Sequence, residues 1–321
     1  MPEPLFNRLA IIGIGLLGSS IAHAVRKTNA AAEIALADHS QDVVDRAKEL
    51  DLGDLYAIDS ATICAEADLV ILCVPVGACG AVAESIGGVL RPGTIVSDVG
   101  SVKEAVAKAV EPLMPEGVHF IGGHPVAGTE QSGPEAGFAE LFEKRWCILT
   151  PSEGSDPTAL DKLQAFWRRL GSDVELMDVK HHDLVLAITS HVPHLIAYNI
   201  VGTAADLESI TRSEVMKFSA GGFRDFTRIA ASDPTMWRDV FLNNKEAVLE
   251  MLGRFNEDLI SLQRAIRWGD GDVLFDLFTH TRAIRRGIIE AGQETAEPDF
   301  GRHHGAPGSS PVPGKAGPES D

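Results

Sequence analysis

The sequence predicts an α/β protein with a doubly wound parallel sheet in its N-terminal half and an all-helical region after it. Three observations lead there. Short apolar runs alternate with amphipathic helical stretches from residue 8 to about residue 177. The first run leads straight into a glycine-rich turn, Gly13-Ile14-Gly15-Leu16-Leu17-Gly18. From about residue 179, strand signals give way to helical periodicity. At 321 residues the chain exceeds the size at which one core usually suffices, so two domains are expected. The boundaries read as 1–178, 179–293 and a remainder, 294–321, rich in Gly, Pro, Ser and His and expected to be a disordered tail.

The strand candidates are Arg8–Ile12, Glu33–Ala37, Asp68–Val74, Thr94–Val99, His119–Ile121, Trp146–Thr150 and Asp173–Met177. Their apolar runs suit a parallel sheet covered on both faces. Ligands of such sheets sit at the carboxyl ends of the strands, which brings together the loops starting at Pro75, Gly100 and Gly122.

The order strand, GxGxxG, helix is the fingerprint of a Rossmann-type dinucleotide-binding domain. Gly13, Gly15 and Gly18 allow the tight turn and the close approach of a pyrophosphate, and the helix opening at Leu16 and Leu17 offers its amides to the phosphates. Asp38 ends the second strand, where a carboxylate accepts hydrogen bonds from the ribose diol and repels a 2′-phosphate, favouring NAD over NADP. The alternative is that Asp38 caps the helix beginning near Gln41. Val74 and Pro75, ending the third strand, complete the expected cofactor edge.

Gly122-Gly123-His124-Pro125-Val126-Ala127-Gly128-Thr129-Glu130 concentrates unusual chemistry in one loop. Pro125 biases His124 toward extended backbone, holding the imidazole out at the end of a strand. In Gly100-Ser101-Val102-Lys103-Glu104, Ser101 has capping-box spacing to Glu104 and is also placed to meet a substrate.

Helical segments are expected over Lys180–Thr203, Leu207–Phe218, Pro234–Trp268 and Gly271–Ala291. Their long apolar faces in a small domain call for a partner, so a homodimer through this region is expected. His191 and His194 share one helical face beside Pro193. Gly221-Gly222 reads as a turn leading into the basic stretch through Arg224 and Arg228.

With 45% hydrophobic and 23% charged residues, the composition is ordinary globular. A formal net charge of -18 disfavours nucleic acid and anionic membrane as partners. No uninterrupted apolar run approaches the ~18–20 residues of a membrane span, and the N-terminus lacks a leader pattern, so the expected location is cytoplasmic. Four cysteines without paired spacing read as buried thiols in a reducing compartment. His124, His191 and His194 have the ligand type for zinc, but without HExxH or a cysteine pair no metal is expected.

Taken together, GIGLLGSS, DVGSVK, GGHPVAGTEQSGP, TSHVPH and GGFRDFTRIAASDPTMWRD resemble the prephenate and arogenate dehydrogenase family of tyrosine biosynthesis, over residues 8 to 290. The resemblance implies an NAD-binding domain followed by a helical dimerisation domain; from the length on either side of these motifs, neither a mutase-like domain before the fingerprint nor the regulatory ACT domain that some members carry is expected. It implies oxidative decarboxylation of prephenate and/or L-arogenate, with hydride passing from C4 to NAD+ and the C1 carboxylate leaving as CO2. By the same resemblance His124 accepts the hydrogen bond of the C4 hydroxyl with Ser101 beside it, and Arg228 grips a substrate carboxylate. His191 and His194 would line the pocket, and Thr129, Glu130, Asp225 and Trp237 would be wall or gate positions. Two rivals remain: a two-domain dehydrogenase of the 3-hydroxyacid type, and an NAD(H)-binding sensor without turnover. The first lacks a catalytic lysine in matching context, and a sensor needs neither His124 nor Arg228.

Overall fold

The computed structural model describes residues 2–129, 131–211 and 221–290, with the side chains at 208–211 excepted. By compactness the chain divides into Met1–Asp258 and Leu259–Asp321.

The first unit is built on a six-stranded parallel sheet of order β3-β2-β1-β4-β5-β6. The strands are β1 (Phe6–Ile12), β2 (Ala31–Ala37), β3 (Leu55–Ala57), β4 (Leu69–Leu72), β5 (Ile95–Asp98) and β6 (His119–Phe120). Side chains alternate across each strand, so the two faces bury different residues. Leu9, Ile11, Leu36 and Ile71 pack with Ile21 and Val25 of α1 (Leu16–Thr28) and with Leu163, Phe166 and Trp167 of α6 (Pro157–Arg169). Ala10, Ile12, Val70 and Leu72 face the other way, onto Ala83 and Ile86 of α4 (Cys79–Gly87) and Val106 and Val110 of α5 (Glu104–Val110). Helix α2 (Gln41–Glu49) adds Val44 and Ala47 to the first face, and α3 (Ser60–Cys64) adds Ile63 and Cys64 to the second. Since β1 is flanked by β2 and β4, strand order reverses there and opens a crevice at the carboxyl edge.

Three expectations are corrected in this region. Trp146–Thr150 and Asp173–Leu176, expected in the parallel sheet, form β8 and β9 of a separate three-stranded sheet with β7 (Gly122–Pro125). Strand β7 pairs antiparallel with β8, and β8 parallel with β9. An apolar run identifies a strand but not its partner. The second correction is β7 itself, expected as a loop. Its glycines are there for contact: a Cβ on Gly122 would lie 2.5 Å from the Thr150 hydroxyl, and one on Gly123 2.8 Å from the Asp98 carbonyl. The third is β3, three residues too short to show a period.

The helical residues begin with α7 (Val179–Leu186), a π turn (Ala187–His191) and α8 (Val192–Thr211) in one continuous run. The wider π turn precedes Pro193, whose missing N–H and ring disrupt regular α bonding there. Residues Val179–Leu207 reach a mean hydropathy of 1.5, long and apolar enough by length and composition to cross a membrane. That corrects the expectation that no such stretch exists, because an average tolerates the polar residues that break up an uninterrupted run. Lys180, His182, Asp183 and His191 lie within it, and Leu184, Ile188 and Ile200 are exposed along it.

Gly221–Thr227 is helical (α9), where a glycine turn was expected, and a 3-10 turn, Arg228–Ala231, follows it. The expected helix Pro234–Trp268 is two, α10 (Pro234–Asn243) and α11 (Lys245–Trp268), broken at Asn244. Asp233 caps α10 by accepting from the Thr235 and Met236 amides at 2.7 and 2.9 Å, with Pro234 in the first turn. Trp237 and Val240 of α10 are buried with Val76, which follows β4, so this helix sits on the carboxyl edge of the sheet. The expected segment Leu207–Phe218 is helical as far as Thr211, and its remainder lies outside the described residues, as do Glu130 and the tail from 294.

The second unit contains the end of α11 and α12 (Gly271–Glu290). In this chain α12 buries no residue, and Phe275, Phe278, Ile284 and Ile288 are exposed along it.

Candidate active site

The glycine loop divides its labour. Gly13 has φ +96°, and a Cβ there would lie 2.4 Å from the Cys73 carbonyl oxygen; one on Gly18 would lie 2.1 Å from that of Gly13. These two glycines close the turn. A Cβ on Gly15 would meet nothing within 4 Å, so space remains in front of the turn. Helix α1 opens there with no side-chain cap and no acidic residue in its first turn, leaving its amides and positive dipole end to an anion. Asp38 accepts from the Ile14 amide at 3.0 Å and from the Ser40 amide at 3.0 Å. It therefore ties the glycine loop to the start of α2; Oδ1 is also 3.1 Å from His39 Nδ1, and Oδ2 retains a lone pair for a ribose hydroxyl. Val74 packs beside Gly13, and Pro75 leads into the 3-10 turn Val76–Ala78. This arrangement fits a dinucleotide.

At the end of β5, Asp98 and Lys103 form a buried ion pair. Lys103 Nζ also donates to the Gly123 carbonyl at 2.7 Å, while Asp98 accepts from the amides of Gly100 at 2.8 Å and Gly123 at 3.2 Å. Two charges in a dry core are tolerable because these bonds satisfy them. The pair holds β7 against β5 and so fixes where His124 emerges.

His124 is buried, with Nδ1 2.8 Å from His182 Nε2; His182 Nδ1 is in turn 2.8 Å from Asp183 Oδ1. The Asp183 carboxylate also accepts from the Lys103 amide at 2.8 Å and the Glu104 amide at 2.9 Å. Asp183 thus caps α5, where a Ser101–Glu104 box was expected; the Glu104 carboxylate turns outward to Lys108 instead. Sequence spacing could not show this, because the capping residue lies 80 positions away. His191 is fully buried, and its Nδ1 is 3.1 Å from Asn244 Nδ2, which also donates to the Asp183 carbonyl at 2.8 Å. That second bond identifies the Asn244 nitrogen as a donor, so His191 Nδ1 accepts and Nε2 bears the hydrogen. The His191 ring lies against the Ser101 backbone. His194 stacks on Trp237 with centroids 3.6 Å apart, donates from Nδ1 to the Ser190 carbonyl at 2.9 Å, and lies near Arg228.

Burial holds His124 well below the usual histidine range, assisted by repulsion from His182, Lys103 and His191. Burial likewise lowers His182 and His194 and pushes His191 down to about 4. Near pH 7 the site is therefore a set of neutral imidazoles. For Asp183, burial acts to raise the pKa, but the bonds from His182 and the Lys103 and Glu104 amides outweigh it, and the net shift is downward.

Of the residues singled out in the sequence, His124, His191 and Ser101 come together in one cluster, and His194, Trp237 and Arg228 in a neighbouring one. Thr129 and Asp225 are drawn into neither among the described residues: the Thr129 hydroxyl accepts from the Gln131 amide at 3.2 Å, and Asp225 is exposed on α9. Sequence reasoning missed Asp98, Lys103, His182, Asp183 and Asn244. The available signal was weak: an acid and a lysine within DVGSVK, and an adjacent His182-Asp183 pair within a helix.

A dinucleotide crevice with a cluster of neutral histidines at its edge defines the class, an NAD-dependent dehydrogenase. The family model for the prephenate dehydrogenase nucleotide-binding domain matches residues 21–176, and that for the prephenate dehydrogenase dimerization domain matches residues 178–280. Cyclohexadienyl dehydrogenase of Zymomonas mobilis is 43% identical over 88% of this chain and 97% of its own length. Prephenate dehydrogenase of Aquifex aeolicus, solved with hydroxyphenyl propionate and NAD+, is similar at a TM-score of 0.82 and 32% identity, over 88% of this chain and 98% of that one. Arogenate dehydrogenase of Synechocystis gives a TM-score of 0.74 at 27% identity, over 87% and 99%. The chain belongs to the prephenate dehydrogenase family.

Proposed function

We propose that this protein oxidatively decarboxylates prephenate and/or L-arogenate, giving 4-hydroxyphenylpyruvate or tyrosine. The observation that carries the reading is His124, neutral and held by an ordered hydrogen-bond chain at the edge of the dinucleotide crevice. Bound NAD+ supplies the hydride acceptor. The chain's own residues bind and orient. Gly15 and the amides at Leu16 and Leu17 receive the pyrophosphate, and Asp38 the ribose. His124 accepts the hydrogen bond of the C4 hydroxyl as C4 loses hydride, with Ser101 beside it. Arg228 holds a substrate carboxylate through its planar fork, and His191, His194 and Trp237 form the pocket wall. Thr129 and Asp225 are assigned to the rim, and Glu130, outside the described residues, keeps the wall or gate role the resemblance implies. Aromatisation drives the loss of CO2, so positioning is the protein's main task.

The protein is proposed to act as a cytoplasmic homodimer. The exposed apolar residues of α8 and α12 and the match to a dimerization domain support that assembly. Relatives bearing the names of both substrates support a cyclohexadienol with a propionate side chain, which differ only in a side-chain ketone or an ammonium-bearing carbon. The test is NADH formation on mixing the protein and NAD+ with prephenate, with L-arogenate, or with neither. NADH is expected with at least one of the two; its absence with both removes the proposal.

A further inference from the structure

The geometry points to Asp183 as the positioning residue that sets the tautomer of His124, acting through His182. The inference rests on His124 being the hydroxyl's acceptor, as proposed above. A carboxylate only accepts, so the 2.8 Å contact between Asp183 Oδ1 and His182 Nδ1 places a hydrogen on that nitrogen. A neutral imidazole with its hydrogen on Nδ1 has a lone pair at Nε2. His182 Nε2 is 2.8 Å from His124 Nδ1, and one hydrogen must lie between them. It can come only from His124. The consequence is that His124 Nε2 is left as a lone pair, which is the state an acceptor for a substrate hydroxyl requires.

The opposite order would turn a lone pair of His182 toward the Asp183 carboxylate, a repulsion in a buried site. A doubly protonated His182 would also reverse the chain, but burial and the nearby Lys103 disfavour that charge, outweighing the attraction of Asp183 and Asp98. His191, the remaining titratable neighbour, is itself held neutral. Asp183 cannot swing away, because the Lys103 and Glu104 amides bind the same carboxylate. One side chain in the middle of α7 thus joins the N-terminus of α5 to the proton arrangement of His124 on β7.

The test reads ring-nitrogen resonances of the full-length protein, labelled with 15N-histidine, near neutral pH; His124 is identified by the signal lost in His124→Asn. The unsubstituted protein is expected to show His124 protonated at Nδ1. In Asp183→Ala nothing holds a hydrogen on His182 Nδ1, so part of the molecules should show His124 protonated at Nε2 and kcat should fall in proportion, with KM for NAD+ little changed. His182→Gln, whose amide oxygen still accepts from His124 Nδ1, should keep more activity than His182→Leu. Protonation at Nε2 in the unsubstituted protein overturns the inference. So does an Asp183→Ala protein that loses activity with the His124 tautomer unchanged, since the carboxylate would then serve only as the cap of α5. If Asp183→Ala does not fold, the unsubstituted spectrum and the His182 pair decide. A normal kcat in His124→Asn would remove the proposed role of His124 while leaving the tautomer result readable.

Discussion

At the residue scale, the environment of His124 has a measurable consequence. Burial and its cationic and histidine neighbours favour the neutral form, so the acid limb of kcat/KM should lie below the ordinary histidine value of about 6.5. His124→Asn keeps a similar size but cannot take up the proton. It should lose about 10²–10⁴-fold in kcat, and the acid limb should vanish from the residual activity. A substituted protein that keeps the same limb would move the role to His191 or His194. Arg228 offers a separate test. Losing a charge-assisted carboxylate contact should cost about 1.5–3 kcal/mol, so Arg228→Ala should raise KM for the substrate roughly ten- to a hundredfold and leave that for NAD+ nearly unchanged. Parallel rises in both values would mark Arg228 as structural.

At the element scale, the site depends on β7 lying close against β5. No side chain stands between them at Gly123, and the Asp98–Lys103 pair bonds to both its amide and its carbonyl. Removing one partner leaves the other charge buried. Lys103→Ala should therefore destabilise the fold by about 3–5 kcal/mol, visible as a lower denaturant midpoint. Lys103→Ala together with Asp98→Ala should recover part of that loss, because no charge is then stranded. A double variant no more stable than the single one would show that the ion pair's geometry, rather than an uncompensated charge, is what β7 requires. The break at Asn244 serves in a similar way, since its amide reaches both His191 and the Asp183 carbonyl from between α10 and α11.

At the scale of the whole molecule, several buried groups make stability pH-dependent in one direction. The folded pKa values of His124, His182, His191 and His194 lie below the unfolded value of about 6.5, so the unfolded chain binds more protons on the acid side. Stability from these groups is complete above about 6.5 and is lost as pH falls toward the folded values, about 4 for His191. The lowered Asp183 adds a further loss below the ordinary carboxylate range. Unfolding midpoints measured from neutral pH down to about 4 should decline over that window, and His191→Gln should flatten the decline. A flat profile in the unsubstituted protein would contradict the neutral burial of the cluster.

How much of this was legible beforehand follows from the range of the interactions. GxGxxG followed by an apolar helix, Asp38 at the end of the next strand, and His124 locked extended by Pro125 are local patterns. They disclosed the nucleotide domain and singled out Asp38 and His124, the residues the proposed function uses, because backbone freedom and side-chain period act over a few residues. Partner choice is not local. An apolar run such as Trp146–Thr150 reads alike in either sheet, and only the close packing of Gly122 and Gly123 shows that it pairs antiparallel with β7. The apolar pattern of Pro234–Trp268 likewise does not record the break at Asn244. Sequence alone therefore determined the fold class, the nucleotide crevice and which histidine stands at its edge. The tertiary structure alone decided that Asp183 replaces the expected Ser101 cap, that Lys103 is buried on Asp98, and that His182 lies between Asp183 and His124. The Asp183 bonds to the start of α5 and the His182 bond to His124 join residues 58 to 80 positions apart, which only the packing of α7 against α5 and β7 brings within hydrogen-bond distance, and the five-residue Asp98–Lys103 contact is sealed from water by β7, whose Gly123 bonds to both partners.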